Sequence, residues 1–208
     1  MAQRTSNHIS RRQASNSRPA ILLAAARGTP LNQFVTINFT VQEMADEGAI
    51  AAALGRIRLR YSRWAKQPGV RSGGVPFDAA MVWNLENTGH WAAHLLIHVP
   101  PARLGHFKRA IRGWIEKESG RPVEAGALDV RAVDNVYGLR KYMLKGLDPA
   151  FCPLYRIEHV PQGAVRGKRF GYTQNLGPTA CRRHGTKKPY RWPARRASAL
   201  PVGSTTHA

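Results

Sequence analysis

Acidic residues are scarce: 12 Asp plus Glu stand against 32 Lys plus Arg in 208 residues, a formal net charge of +20. That imbalance points to a polyanionic partner. Cysteine is nearly absent too. Cys152 and Cys181 lie far apart without a Cys-x-x-Cys partner, which excludes a disulfide framework or a four-cysteine zinc site and suits a reducing cytoplasm. Neither these two nor His184 are enough for a zinc site, so they read as structural or incidental. No apolar run approaches the roughly 18 residues of a membrane-spanning helix, so no membrane association is expected. No internal repeat is visible.

The missing acids are missing from particular places. None precedes Glu43 and none follows Glu158, so residues 1–42 carry +5, residues 159–208 carry +10, and the 116 residues between carry +5. Residues 1–32 mix Ser, Asn, Ala, Arg and Pro without periodicity and are expected to form a mobile basic arm. Arg11-Arg12 and the run Ala20–Ala26 have the look of an export signal. The run is short, follows Pro19 and ends at Arg27, and an acid-poor arm that seeks phosphate explains the same composition as a transit peptide would. Arg182–Arg196 packs seven basic residues into fifteen positions, so 182–208 reads as a second basic tail.

Between these flanks the periodicities alternate. Phe34–Thr40 has period two and is rich in β-branched and aromatic residues, predicting a strand. Ile50, Leu54, Ile57, Tyr61 and Trp64 place one apolar stripe along a helix ending before Pro68-Gly69. Residues 79–86 predict a second strand, Asn87-Thr88-Gly89 a turn, and His90–Val99 a third strand stopped by Pro100-Pro101. A helix with Leu104, Phe107, Ile111, Trp114 and Ile115 on one face follows. Leu128–Val133 is a fourth strand, and Asp134 or Asn135 caps a short helix ending at Gly146. The pattern predicts an α+β domain over residues 33–150: an antiparallel sheet with helices on one face and the other face free for a site, with 151–181 packed on it as an extension.

Two stretches carry chemistry. In a strand over His90–Val99, Trp91, Ala93, Leu95, Ile97 and Val99 share an apolar face, and His90, Ala92, His94, Leu96 and His98 share the other. Three imidazoles on one face can converge on a divalent metal, with Glu86 of the neighbouring strand as a carboxylate ligand; the alternative is a set of hydrogen-bonded histidines on a polar strand face. In the last helix Val136, Leu139 and Met143 form the buried stripe, while Tyr142 and Lys145 are neighbours on another face. A lysine beside a phenol favours the phenolate and can hold a phosphate oxygen, making Tyr142 a candidate nucleophile towards a phosphodiester. The same pair also fits an interfacial Tyr with a solvated Lys. Tyr137 lies about 140° round the helix from Tyr142, so one nucleophile is expected.

Taken in order, Phe34-Val-Thr-Ile-Asn-Phe, His90–Pro100 and Tyr142-Met-Leu-Lys145 resemble the three motifs of the HUH endonuclease superfamily, in its single-tyrosine replication-initiator (Rep) form from bacterial plasmids and phage-like elements. The resemblance covers residues 33–147, and Gly167–Pro178 is similar to a segment that follows the tyrosine helix in some of these proteins. It implies a sheet related in shape to RNA-recognition domains, with Mg2+ or Mn2+ polarising a phosphate while Tyr142 attacks it to leave a 5′-phosphotyrosyl link and a free 3′-hydroxyl. Implied partners are single-stranded or hairpin origin DNA and host replication proteins in rolling-circle replication, with Arg140, Lys141, Lys168, Arg169, Arg182, Arg183, Lys187 and Lys188 as nucleic-acid contacts. A single-tyrosine transposase shares the motif order, and a non-catalytic nucleic-acid-binding protein could use the same sheet. One departure stands out: Ala92 occupies the place of the family's first metal-binding His, with His94 in the second. Either His90 or His98 joins Glu86 to replace it, which needs a bulge near Gly89–Ala93, or the site is disarmed.

Overall fold

A computed structural model describes residues 5–68 and 74–186. The strands are β1 (Thr5–Ser6), β2 (Gln33–Asn38), β3 (Met81–Asn87), β4 (Trp91–Ile97), β5 (Leu128–Ala132), β6 (Val165–Arg166) and β7 (Phe170–Tyr172), of which the sequence predicted β2 to β5. The helices are α1 (Arg11–Ala26), α2 (Glu47–Lys66), α3 (Leu104–Ser119), α4 (Val136–Met143), α5 (Cys152–Tyr155) and α6 (Pro178–Arg183). Local chemistry fixes the predicted helix starts: the Asp46 carboxylate accepts from Ala49 N–H at 2.6 Å at the head of α2, and Asn135 Oδ1 accepts from Gly138 N–H at 2.8 Å at the head of α4.

Five strands form one sheet in the order β5-β2-β4-β3-β7, with every neighbour antiparallel, and β1 pairs with β6 in a separate two-stranded ribbon. The fold is α+β. β4 is central, and as predicted its apolar face, Trp91, Ala93, Leu95 and Ile97, is buried against Ile50, Leu54, Ile57 and Tyr61 of α2 and Phe107, Ile111 and Ile115 of α3. Burying such side chains contributes roughly 1.5–3 kcal/mol each, so this layer anchors the sheet.

The opposite face departs from the expectation in being largely covered. Leu96 of β4, Val82 of β3 and Phe34 of β2 pack with Ala20, Leu23 and Ala24 of α1 and Met143 of α4 into a second buried cluster. The expected mobile arm is therefore, from Ser10 onward, an ordered helix. Ser10 and Gln13 cap it reciprocally, and Asn16 and Ser17 are buried with the apolar residues. The extension also proves integral: β7 hydrogen-bonds to β3 as an edge strand of the main sheet. Of the expected C-terminal tail, Arg182 and Arg183 end α6, and residues 187–208 lie outside the described residues. Among the described residues no helix is long and apolar enough to cross a membrane.

Candidate active site

The site lies on the second sheet face beneath α4, with His94 and Glu86 buried and Tyr142 exposed. Strand register determines which side chains meet there. His94 stands between Thr36 of β2 and Asn84 of β3, and the next row places Ala92 between Asn38 and Glu86. Side chains two apart along a strand point the same way, so Glu86 reaches diagonally to His94 rather than straight across to the methyl group of Ala92. The Glu86 Oε1 to His94 Nε2 distance is 3.1 Å, and His94 Nδ1 is 3.1 Å from Thr36 Oγ1. In the neutral ring these contacts are satisfied together when Nε2–H donates to the carboxylate and the Thr36 hydroxyl donates to Nδ1.

α4 brings the second half of the site over this row. The Tyr142 ring stands edge-on to His94 with centroids 5.2 Å apart and to Phe34 at 6.2 Å, while Phe34 stacks on His94 at 5.6 Å. Tyr142 remains 43% exposed, which leaves its hydroxyl open to a ligand where a core tyrosine's would be sealed. Just beyond the helix, Lys145 Nζ lies 4.2 Å from the Tyr142 ring centroid and 3.4 Å from each oxygen of Glu86. Burial pushes the Glu86 carboxyl up, but the hydrogen bond and charge of His94 and the ammonium of Lys145 outweigh it and hold the carboxyl below its ordinary range. The carboxylate is thus ionised, yet its Oε2 is buried with no hydrogen bond of its own.

Glu86, His94, Tyr142 and Lys145 are therefore together, as the sequence predicted. The other two histidines are not. β4 begins at Trp91, paired with Asn87, so the hairpin closes through the three residues Thr88–His90 with Gly89 at φ 86. His90 is an exposed loop residue and shares no strand face with His94. His98 falls just past the strand, where its Nδ1–H donates to Pro30 O at 2.8 Å and its ring meets Phe77 edge-on at 5.3 Å. Burial depresses its pKa, so it is held neutral. No bulge brings either ring towards Ala92, and among the described residues no cluster of three or more His, Cys, Asp or Glu side chains is poised to hold a metal.

Two donors remain. Mg2+ or Mn2+ would fit His94 Nε2 and a Glu86 oxygen only in the other tautomer, with the ring proton on Nδ1 donating to Thr36 Oγ1, and Lys145 would stand beside the ion as a fixed cation.

The expected nucleic-acid contacts divide. Lys141 is exposed on α4, Lys168 is exposed near β7, and Arg182 and Arg183 are exposed on α6. Arg140 is instead committed to α1, donating from Nε to Ser17 Oγ at 2.7 Å and from Nη2 to Ala14 O at 3.3 Å. Arg169 is only 1% exposed and donates to the carbonyls of Ser6 and Gly163, so it ties β1 to the segment before β7 rather than facing DNA. Lys187 and Lys188 lie outside the described residues. Three residues on this face escaped the sequence: Thr36, Asn84 and Arg131, whose guanidinium lies 5.1 Å from the Phe34 ring centroid. The alternation Phe34, Thr36, Asn38 along β2 was the available signal.

No protein-family model matches the chain, and no curated protein matches it in sequence.

Proposed function

We propose that the protein is an HUH-type, single-tyrosine DNA-nicking enzyme of the replication-initiator kind, acting on single-stranded or hairpin DNA. The observation that carries this reading is the meeting of Tyr142 and Lys145, from α4 and its following turn, with His94 and Glu86, from β4 and β3. Tyr142 Oη would form a bond to phosphorus as the bond from phosphorus to the 3′ oxygen breaks; the phenol gives up its proton and the leaving oxygen takes one up. Lys145 would hold a phosphate oxygen in place, and Arg131 and Lys141 would meet the flanking chain. Mg2+ or Mn2+ on His94 and Glu86 would supply charge neutralisation for the phosphate.

Ala92 favours a second reading, a nucleic-acid-binding protein on the same sheet that no longer cuts. With a methyl group across from Glu86, the donor set stays at two, and Lys145 already neutralises the carboxylate. The two readings separate on a denaturing gel after incubation with a pool of single-stranded DNA and Mn2+. A covalent adduct that disappears in Tyr142→Phe supports the enzyme. Tight, salt-sensitive binding with no adduct under either metal overturns it in favour of binding alone.

A further inference from the structure

At the β7 edge of the sheet, on the side covered by α2, an open groove of about 1210 Å³ runs between α2 and the segment from Lys168 to Arg183. His94, Glu86 and Tyr142 occupy the other sheet face, so this groove is separate from the candidate active site. Its chemistry is one-sided. Arg58 and Lys168, together with Arg27, Lys66 and Arg183, face the single carboxylate of Asp78.

Arg58 and Lys168 are placed with unusual care for cations that lack an acid. The Arg58 guanidinium stacks on the Trp83 ring, 4.2 Å from its centroid, and Lys168 Nζ lies 5.8 Å from the centroids of both Trp83 and Tyr172. Gly171 permits this: a Cβ there would come within 2.8 Å of Lys168 Cε and 2.9 Å of the indole. Among the described residues neither cation forms a salt bridge. Burial depresses both pKa values, and for Lys168 the Arg58 charge adds to the effect. A half-buried Arg58 and an exposed Lys168 on one indole form a like-charge pair without a counterion, and an incoming anion relieves that repulsion. A guanidinium fixed by stacking has little freedom left to lose when its N–H edge takes up a phosphate.

We propose that this groove is a second nucleic-acid site, one that holds a single strand by clamping its phosphodiester backbone between Arg58 and Lys168. Its volume exceeds the roughly 300–1,000 Å³ of small-molecule pockets, which favours several linked nucleotides over one mononucleotide. Tyr172 lines one end of the groove, held there by the Asn16 amide donating to its hydroxyl at 3.3 Å. The proposal does not rest on Tyr142 being a nucleophile.

The test is fluorescence anisotropy with a labelled strand of about a dozen nucleotides, as DNA, as RNA and as duplex DNA, titrated at several salt concentrations. Arg58→Gln/Lys168→Gln, which keeps most of both stems, is expected to weaken single-strand binding at least about tenfold. It should also make the slope of log K against log salt shallower by about 1.4, the release expected from two phosphates. Covalent adducts are scored separately for the wild type and the double variant, so failure of the groove and failure of nicking are distinguishable. Loss on DNA alone assigns the groove to DNA; equal loss on RNA assigns it to either backbone. Lysine footprinting of the wild-type chain by acetylation and mass spectrometry avoids any question of variant folding and should show Lys168 protected by bound strand. Unchanged affinity and slope, an equal loss on duplex, or Lys168 acetylated alike with and without strand overturns the proposal.

Discussion

Ala92 lies directly across the β3–β4 pair from Glu86, while His94, two residues further along β4, hydrogen-bonds to the same carboxylate. The methyl group stands where the resemblance to HUH enzymes would put a further metal-binding His. Replacing it tests whether the remaining parts are still in working order. Ala92→His, on a half-buried position flanked by Asn38 and Glu86, should tighten Mn2+ binding by roughly tenfold or more and raise metal-dependent DNA cleavage. Calorimetric titration of Mn2+ into the two proteins checks the first, and a cleavage gel the second. Equal Mn2+ affinity in variant and wild type would show that His94 and Glu86 do not form a metal site.

Lys145 contacts both the Tyr142 ring and the Glu86 carboxylate, so it should matter more to chemistry than to binding. Lys145→Gln is expected to lower the single-turnover cleavage rate by about 10²-fold, the scale of removing one preorganised donor from a developing charge. Strand affinity measured by anisotropy should shift only a few-fold. A loss confined to affinity would make Lys145 one more backbone contact.

Leu23 of α1 is fully buried in the second core cluster. Leu23→Ala should therefore cost about 2–5 kcal/mol of unfolding free energy, read from urea denaturation. A mobile arm would give a change near zero.

His98 sets a pH dependence. Burial lowers its folded pKa below 6.5, so the unfolded chain takes up its proton first on acidification. Its contribution is complete above the unfolded value and is lost as pH falls from there through the folded value. Stability should decline as pH falls below the ordinary histidine value of 6.5 in the wild type and decline less in His98→Gln, by urea denaturation across a pH series. Parallel curves would contradict the burial argument.

What the sequence made legible follows the range of the interactions involved. α2, α3 and the strands β2 to β5 announce themselves through local periodicity, because each buries one face against a layer of fixed composition. α1 does not, since Asn16 and Ser17 are part of its buried surface and Pro19 interrupts it, so no apolar stripe marks the helix. β7 has three residues, too few to show alternation. Within the site, Tyr142 and Lys145 are linked by helical spacing and His94 and Glu86 by neighbouring strands. Thr36 and Asn84 join them only through register, which is set by long-range pairing. His90 was misplaced by a single local fact: the hairpin needs three loop residues, so it belongs to the turn.

The central claim, that Tyr142 is a nucleophile towards DNA, is tested most directly by mapping the adduct. The wild-type protein is incubated with single-stranded DNA and Mn2+, digested with nuclease and protease, and analysed by tandem mass spectrometry. The account predicts a nucleotide phosphate on Tyr142 and none on Tyr137. A modification on any other residue, or unmodified Tyr142 in a preparation that binds the strand tightly, would contradict it.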